Sequence, residues 1–396
     1  MENYIYGLMH LGFWQMLLVF IFSFMLSMMS ITLYLHRDQA HRSIELHPVL
    51  RHFFRFWIWM NSGAQTDEWV AVHRKHHALC EQEGDPHSPQ IFGIRRVLLE
   101  GAELYQTEAE RIETVEKYSE GTPNDWIELN LYKRYRDGGI LLLVILSLSL
   151  FGTVGIIFLG FQLISMPIFA AGIINGAGHY WGYRNFETED ASTNLIPTAF
   201  IIGGEELHNN HHAFPTSAKF SILPYEFDIG WMYISIFRTL GLCQVRRLAP
   251  RPILRKCRSV DIETLQAVLV NRMHVLRDYT CNVTLFEWRR ERIANESDVL
   301  LQKARKYLVS RPARLDLVTT KKLNLVLEAS DRLKLVHELR ERLADIWEQA
   351  NVSNDHLVAQ LKQWCTEAEA SGIKSLEEFS TRLRCYIPQS ETALIT

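Results

Sequence analysis

The sequence predicts an all-α protein in two parts, an integral membrane helical bundle followed by a soluble helical domain. Three observations support this prediction. Long stretches without a charged residue occur in the first 240 residues, thirteen of the sixteen histidines lie in the first 212, and the last 156 residues are rich in charge with helical periodicity. We therefore expect a membrane domain over 1–240, a basic linker over 241–258 and a helical domain over 259–396.

The uncharged stretches define the predicted membrane spans. Residues 11–35 contain no Asp, Glu, Lys or Arg, and crossing a hydrocarbon core takes about 20 apolar residues. A second uncharged stretch, 138–183, is long enough for two antiparallel spans, near 139–155 and 157–177. The apolar segment 53–64 is too short to span, which favours an interfacial helix over the alternative of a buried core helix.

The positions of basic residues predict the orientation of the chain. The first ten residues contain no Lys or Arg, whereas Arg37, Arg42 and Arg74 follow the first span. Basic residues concentrate on the cytoplasmic side of a membrane. We therefore expect an external N-terminus, with residues 36–137 and those after about 180 in the cytosol.

Composition excludes several function classes. A net charge of −3 argues against a general nucleic-acid binder, which needs a basic face. The six cysteines are widely spaced without a C-x-x-C pair, which predicts no zinc ribbon, iron–sulfur cluster or disulfide framework. The C-terminal domain carries no motif that identifies a function, and its helical pattern is clearest at Leu333, Val336, Leu339 and Leu343.

Histidines gather in three clusters near the predicted membrane boundary. The clusters are His36 and His41; His73, His76 and His77; and His208, His211 and His212. The i, i+3, i+4 spacing of the second and third clusters places three imidazoles on one face of an α-helix. Such a face can hold metal, whereas a purely structural role would require a partner for every buried ring nitrogen.

The number of histidines favours two metal ions. Eight exceed what one tetrahedral zinc uses, although imidazole alone does not distinguish Zn, Cu, Fe and Ni. His36 and His41 differ by about 140° on an ideal α-helix, so the helix must unwind there or the two rings must serve different ions. A carboxylate-bridged bundle is disfavoured because Glu-x-x-His occurs only once among the clusters, at Glu205–His208.

With the residues around them, the clusters resemble the stearoyl-CoA desaturase family of membrane-bound Δ9 acyl desaturases, and its bacterial members most closely. The resemblance covers about residues 10–230. Besides the clusters it rests on Glu68-Trp69, Asp85-Pro-His-Ser, Asn175-Gly-Ala-Gly-His179, Trp181-Gly-Tyr-Arg and Glu206-Leu-His208. Eukaryotic members have four spans, whereas here only about ten residues precede the first predicted span.

The resemblance implies a di-iron centre in a histidine-rich cytosolic cap, with Asn175 holding a metal-bound water. The nine implied ligands are His36, His41, His73, His76, His77, His179, His208, His211 and His212. Acidic residues near the clusters are candidates to accept hydrogen bonds from ligating rings, namely Asp38, Asp67, Glu68, Asp85, Glu205 and Glu206. Trp69, Trp181 and Tyr183 are candidates to line a slot for an acyl chain, and the role of His87 stays open.

The expected reaction is the O₂-dependent desaturation of a saturated fatty acyl chain, at Δ9 by resemblance, to a cis-monounsaturated product. The expected substrate is an acyl-CoA or the acyl chain of a phospholipid. No Fe–S, flavin or haem motif occurs, so the two iron ions must receive electrons from a separate ferredoxin- or reductase-type donor. The expected location is the bacterial inner membrane, with the active site on its cytosolic side.

Two alternatives stay open. One is a di-iron alkane or acyl-chain hydroxylase, although the order of the clusters and the Asp85-Pro-His segment favour the desaturase. The other is a membrane metal transporter. Transporters place their ligands near the bilayer midplane, whereas these clusters lie at one face, which disfavours transport.

Overall fold

The computed structural model describes residues 6–257, 259–311, 315–349 and 352–389. The chain divides into two compact units. The first unit runs to Arg184 and resumes over Asp190–Ala249, and the second consists of Asn185–Glu189 and the chain from Pro250 onward.

The first long helix widens where the first histidine cluster lies. An α-helix over Phe13–Ser30 passes into a π-helix over Ile31–Ala40, and the amide of His41 donates to the carbonyl oxygen of His36 at 3.0 Å. This i→i+5 bond brings residues five apart onto one side of the helix. The two imidazole centroids lie 4.8 Å apart. The sequence left open whether the helix unwinds at this point or the two rings serve different ions. The structure shows a helix that widens into a π-helix, with both rings in the same group.

Among the residues that the structure describes, two helices are long and apolar enough to cross a membrane, Phe13–Ala40 and Val154–His179. The segment predicted to span near 139–155 forms a helix of only 14 residues, Gly138–Phe151, because Gly152 turns the chain with a φ of 60°. At 1.5 Å per residue this helix is about 21 Å long, less than the roughly 30 Å of a hydrocarbon core. The full membrane bundle therefore stays a prediction.

The short helix returns the chain between the two long ones. His36 and His179 lie near the C-terminal ends of the long helices, so both helices run towards the histidines. At the opposite end, the amide of Leu8 donates to the carbonyl oxygen of Ser149 at 3.1 Å. The helix Gly138–Phe151 thus leads from the histidine end of the unit to the N-terminal end.

An amphipathic helix over Pro48–Ser62 covers most of the predicted interfacial segment 53–64. It begins earlier than expected because proline is favourable in a first helical turn, and the His47 ring caps that turn. It ends at Gly63, which adopts the left-handed conformation common at helix ends. Its inner face buries Phe54, Ile58 and Trp59.

Short strands join segments that are distant in sequence. Ile44–Leu46 pairs antiparallel with Cys243–Val245, and Thr198–Ala199 pairs parallel with Phe227–Asp228. Cys243 and Val245 are buried in the core of the first unit. The predicted linker over 241–258 therefore starts with a strand of the first unit, which ends at Ala249 rather than at residue 240.

The other helical segments of the first unit include those that make up the long helix Val154–His179. They are Thr66–Leu79, Pro89–Phe92, Ile94–Ala109, Ile112–Tyr118, Glu128–Tyr132, Val154–Met166, Pro167–Ile173, Ala177–His179, Glu205–Leu207, His208–Ala213 and Ile229–Thr239.

The second unit is helical around its own apolar core, as predicted. Leu333, Val336, Leu339 and Leu343 are all buried on the inner face of Asp331–Glu348, which confirms the periodicity. Its other helices are Ile262–Val270, Arg272–Tyr279, Thr280–Thr284, Leu285–Ala294, Val299–Gln302, Arg305–Val309, Leu317–Ala329, Asn354–Ala370 and Lys374–Leu383.

A disulfide joins Cys257 to Cys385 in the second unit. The flanking strands Ile253–Leu254 and Tyr386–Ile387 pair antiparallel and bring the two cysteines together across 128 positions of sequence. The sequence predicted no disulfide framework, and it did not reveal this single bridge. Cysteine spacing carries no information about a strand pairing of such long range.

Candidate metal centre and the cavity beside it

The structure brings all nine predicted histidines together in two neighbouring groups. The first group is His36, His41, His73, His77 and His211, and the second is His76, His179, His208 and His212. Within each group the nearest ring nitrogens all lie within 4.8 Å of one another. The groups adjoin, since the rings of His77 and His212 stack with centroids 4.4 Å apart.

Each H-x-x-H-H helix contributes to both groups. On Thr66–Leu79, His73 and His77 face the first group while His76 faces the second. On His208–Ala213, His211 belongs to the first group and the other two histidines belong to the second. The shared helical face predicted from the spacing therefore lies along the border between the groups.

Within each group, Nε2 atoms of different histidines lie close to one another. Nε2 of His179 lies 3.2 Å from Nε2 of His76 and 2.9 Å from that of His208. Nε2 of His211 lies 3.1 Å from that of His36 and 2.9 Å from that of His77, and the His41 and His73 nitrogens are 2.8 Å apart. A neutral imidazole carries one N–H, which can donate to only one neighbouring nitrogen, so hydrogen bonds within the groups do not account for all of these close contacts.

These separations fit a shared cation. Two imidazole nitrogens bound to one ion at about 2.1 Å and at right angles are about 3 Å apart. The His212 Nε2, which is buried, has no hydrogen-bond partner among the described residues. The donor set is thus suited to one ion in each group.

Carboxylates hold four of the rings from behind. Nδ1 of His36 lies 2.6 Å from Glu205, and Nδ1 of His76 lies 3.0 Å from Asp85. Nδ1 of His179 lies 3.1 Å from Glu81, and Nδ1 of His212 lies 3.0 Å from Asp190. Such a bond fixes the tautomer so that Nε2 presents its lone pair to a metal. Three of the four carboxylates serve the second group.

Burial keeps the imidazoles neutral. It lowers the pKa of His41, His73, His77, His208 and His211 well below the usual value, and neighbouring histidines lower it further. Burial also lowers the pKa of His212 to about 4, against the opposing effect of Asp190. A neutral imidazole is the form that binds metal.

The structure places the predicted acidic residues in different surroundings. Asp85 and Glu205 contact ligating rings. Asp38, Asp67, Glu68 and Glu206 do not, since they pair with Arg51, Lys133, Arg136 and the amides of Ile201 and Ile202 respectively.

Sequence reasoning missed two of the four carboxylates, Glu81 and Asp190. Glu81 follows His77 by four positions and has a φ of 62°, a strained backbone conformation for a residue other than glycine. Its proximity to the cluster was a usable signal. Asp190 lies in a loop just after two ordinary acidic residues, Glu187 and Glu189, and no local pattern marks it.

A cavity of about 310 Å³ adjoins both groups. At the histidine end it is lined by His36, His73, His87, His208, Asn175 and Glu205. Apolar side chains form much of its wall, including Ile31, Leu35, Ile58, Ile140, Met166 and Ile174. Trp69 lines it and stacks on His73, whereas Trp181 and Tyr183 are not among its lining residues.

Comparison with known proteins gives two family-model matches. Residues 12–229, more than half of the chain, match the model described as fatty acid desaturase. Residues 265–389 match a model described as transposase, which covers about a third of the chain and does not show membership of that family.

Individual relatives are desaturases of plants and cyanobacteria. Delta-9 acyl-lipid desaturase 1 of Arabidopsis thaliana is 28% identical over 58% of this chain and 74% of its own length. Delta-9 desaturase-like 2 protein of the same plant is 31% identical over 55% and 72%, and the sn-1 stearoyl-lipid 9-desaturase of Synechocystis sp. is 30% identical over 56% and 68%. This chain belongs to the fatty acid desaturase family and is a fatty acyl desaturase.

Proposed function

We propose that the first unit desaturates a saturated acyl chain at Δ9, using O₂ and two iron ions held by the nine histidines. The observation that carries the proposal is the position of the apolar cavity. Its wall ends at histidines from both groups, His36 and His73 from the first and His208 from the second. An acyl chain in the cavity would present a methylene to both groups.

The residues of the chain have separable tasks in this proposal. Ile31, Leu35 and Met166 would hold the hydrocarbon and exclude water. Asn175 lines the same cavity and would hold a metal-bound water. The bound iron ions would supply the oxidising power that an unactivated C–H bond requires.

The electron balance requires an external donor. Removing two hydrogens from the acyl chain yields two electrons and two protons. O₂ needs four electrons and four protons to become two molecules of water, so a donor must supply two electrons and the medium two protons. We propose a separate ferredoxin- or reductase-type protein as that donor.

The proposed setting is the bacterial inner membrane, with the histidine groups on the cytosolic side. The two long apolar helices support a membrane setting, and the basic residues Arg37, Arg42 and Arg74 at and beyond the end of the first of them support the cytosolic side. The helix Gly138–Phe151 would carry the chain back through the bilayer between them.

The test is the fatty-acid profile of cells that express the chain. We expect a new cis-monounsaturated acid with its double bond at carbon 9, located by mass spectrometry. His76→Ala should abolish it because His76 belongs to the second group. His52→Ala is the matched control, since His52 is exposed and lies outside both groups. Hydroxylated chains would establish the hydroxylase instead, and metal flux without acyl product would establish transport.

A further inference from the structure

A second, polar cavity reaches the first histidine group from another side. It has a volume of about 260 Å³ and is lined by Ala40, His41, Arg42, Arg74, Glu120 and Arg247. We call it the basic cavity. It shares no lining residue with the apolar cavity. His41 forms part of its wall, so a ring of the first group borders the surface there.

The charge of the basic cavity is positive and largely uncompensated. Three arginines against one glutamate leave a net charge of +2. The guanidinium of Arg42 donates to the carbonyl oxygen of Glu120, and that of Arg74 donates to four backbone carbonyl oxygens. Among the described residues, the Arg247 guanidinium has no hydrogen-bond partner. Carbonyl oxygens position a guanidinium without cancelling its charge.

Other arginines in this region are paired with acids. In the neighbouring cavity, Arg51 pairs with Asp38, Arg55 with Asp125 and Arg246 with Glu45. Within these two cavities, the arginines that have no ion pair with an acid among the described residues are therefore the three around His41.

Arg42 is held rigidly in place. Its φ of 51° is unusual for an arginine, and its side chain packs so closely on Gly121 that an added Cβ there would lie 1.8 Å from the guanidinium. A strained residue persists only where the surroundings hold it, and such residues cluster at functional sites. The arginine beside His41 is thus fixed before any partner arrives.

The path from the basic cavity to the first group crosses a single imidazole. The Nε2 atom of His41 lies 2.8 Å from that of His73, and the His41 ring centroid lies 4.8 Å from that of His211. An electron that enters at the cavity needs no other side chain to reach the group.

We propose that the basic cavity is the docking site of an acidic one-electron carrier of the ferredoxin type, which delivers electrons through His41. This inference rests on the proposed function, which requires two electrons from outside the chain for each turnover. Two reduced carriers would dock in succession, each losing one electron. Weak redox encounters of this kind depend on complementary charge more than on buried area.

The test measures binding of a small acidic plant-type [2Fe–2S] ferredoxin to the full chain in zwitterionic lipid nanodiscs. We expect binding that weakens between 50 and 200 mM salt, and a dissociation constant about tenfold higher for Arg247→Glu because a charge in the contact is reversed. Arg247→Gln should give a smaller loss in the same direction. The matched control is Arg95→Glu, an exposed arginine that lines neither cavity, for which the dissociation constant should be unchanged.

Equal affinities for Arg247→Glu and Arg95→Glu, with both melting like the wild type, would overturn the docking site. So would the absence of binding, or binding that salt leaves unchanged. If Arg247→Glu instead lowers the number of anionic lipids retained per chain in native mass spectrometry, while the ferredoxin does not bind, the arginines serve a lipid headgroup.

Desaturation is assayed separately in the same nanodiscs, with dithionite and methyl viologen as the electron source. Product without ferredoxin binding would refute docking and leave the proposed function standing. Binding at the basic cavity without product from any acyl substrate would refute the proposed function and leave the docking site standing.

Discussion

Replacing Asp85 by asparagine should weaken iron binding in the second group. Asp85 is buried, and one of its oxygens lies 3.0 Å from Nδ1 of His76 and 3.1 Å from the amide of His87. The other oxygen accepts from the amide of Glu81 at 2.6 Å. An asparagine has one oxygen, so one of these two backbone amides loses its acceptor whichever way the side chain turns.

The expected loss follows from these contacts. Removing a carboxylate behind a ligating histidine typically lowers metal affinity about 10–100-fold, or about 1.4–2.8 kcal/mol. The orphaned amide should also lower the free energy of unfolding by about 1–3 kcal/mol. We expect the iron content of purified Asp85→Asn, measured by mass spectrometry against increasing chelator, to fall at a correspondingly lower chelator concentration.

Asp38→Asn is the matched control. Asp38 is also buried beside a histidine cluster, but its carboxylate accepts from Arg51 and from the amide of Leu46. This variant should lose stability and retain iron. The reasoning is refuted if Asp85→Asn holds iron as firmly as the wild type, or if the two variants lose iron equally.

Three further changes test other parts of the structure. Ala171→Trp should fill the apolar cavity and shorten or abolish the desaturated products without removing iron, as seen in the fatty-acid profile and iron content. Gly155→Ala should lower the free energy of unfolding by about 1–3 kcal/mol, and with it the melting temperature, because the added Cβ would lie 2.2 Å from the Ser147 carbonyl oxygen. Gly160→Ala is the control, since an added Cβ there meets nothing within 4 Å and the melting temperature should not change. In metal-free protein, the buried His212 should lower the free energy of unfolding as the pH falls from 6.5 to 5. Its folded pKa of about 4 lies below the unfolded value, so the unfolded chain binds more protons over this range, and the loss is on the order of 1–2 kcal/mol. Unchanged melting over that pH range would contradict the burial argument.

Local patterns in the sequence identified most of the candidate site. The spacing of His73, His76 and His77 marks a helical face, and in the structure that face lies at the border of the two groups, with His73 and His77 in the first and His76 in the second. His179 stands alone in its segment, so only the family resemblance singled it out. Asp190 could not be found at all, because the loop that brings it to His212 is fixed by tertiary structure.

Where the fold prediction failed, it failed for the same reason, since local sequence patterns do not report contacts between distant segments. Hydropathy located the apolar segments, but the span predicted near 139–155 includes Gly152, where the helix Gly138–Phe151 ends. The core positions of Asp331–Glu348 follow from a repeat within one helix and were predictable. The Cys257–Cys385 bridge depends on two strands from opposite ends of the second unit, and no periodicity reports such a pairing.

The widened turn at Ile31–Ala40 has a consequence for comparing sequences. In an α-helix, ligands that must face one site are separated by two or three residues, so a pair with four residues between them looks mismatched. His36 and His41 form such a pair, and one extra residue per turn realigns them. Inserting or deleting one residue between them would turn one ring away from its group. The H-x-x-x-x-H pair of this chain is therefore sensitive to length, and an alignment that places a gap inside it misaligns the two histidines.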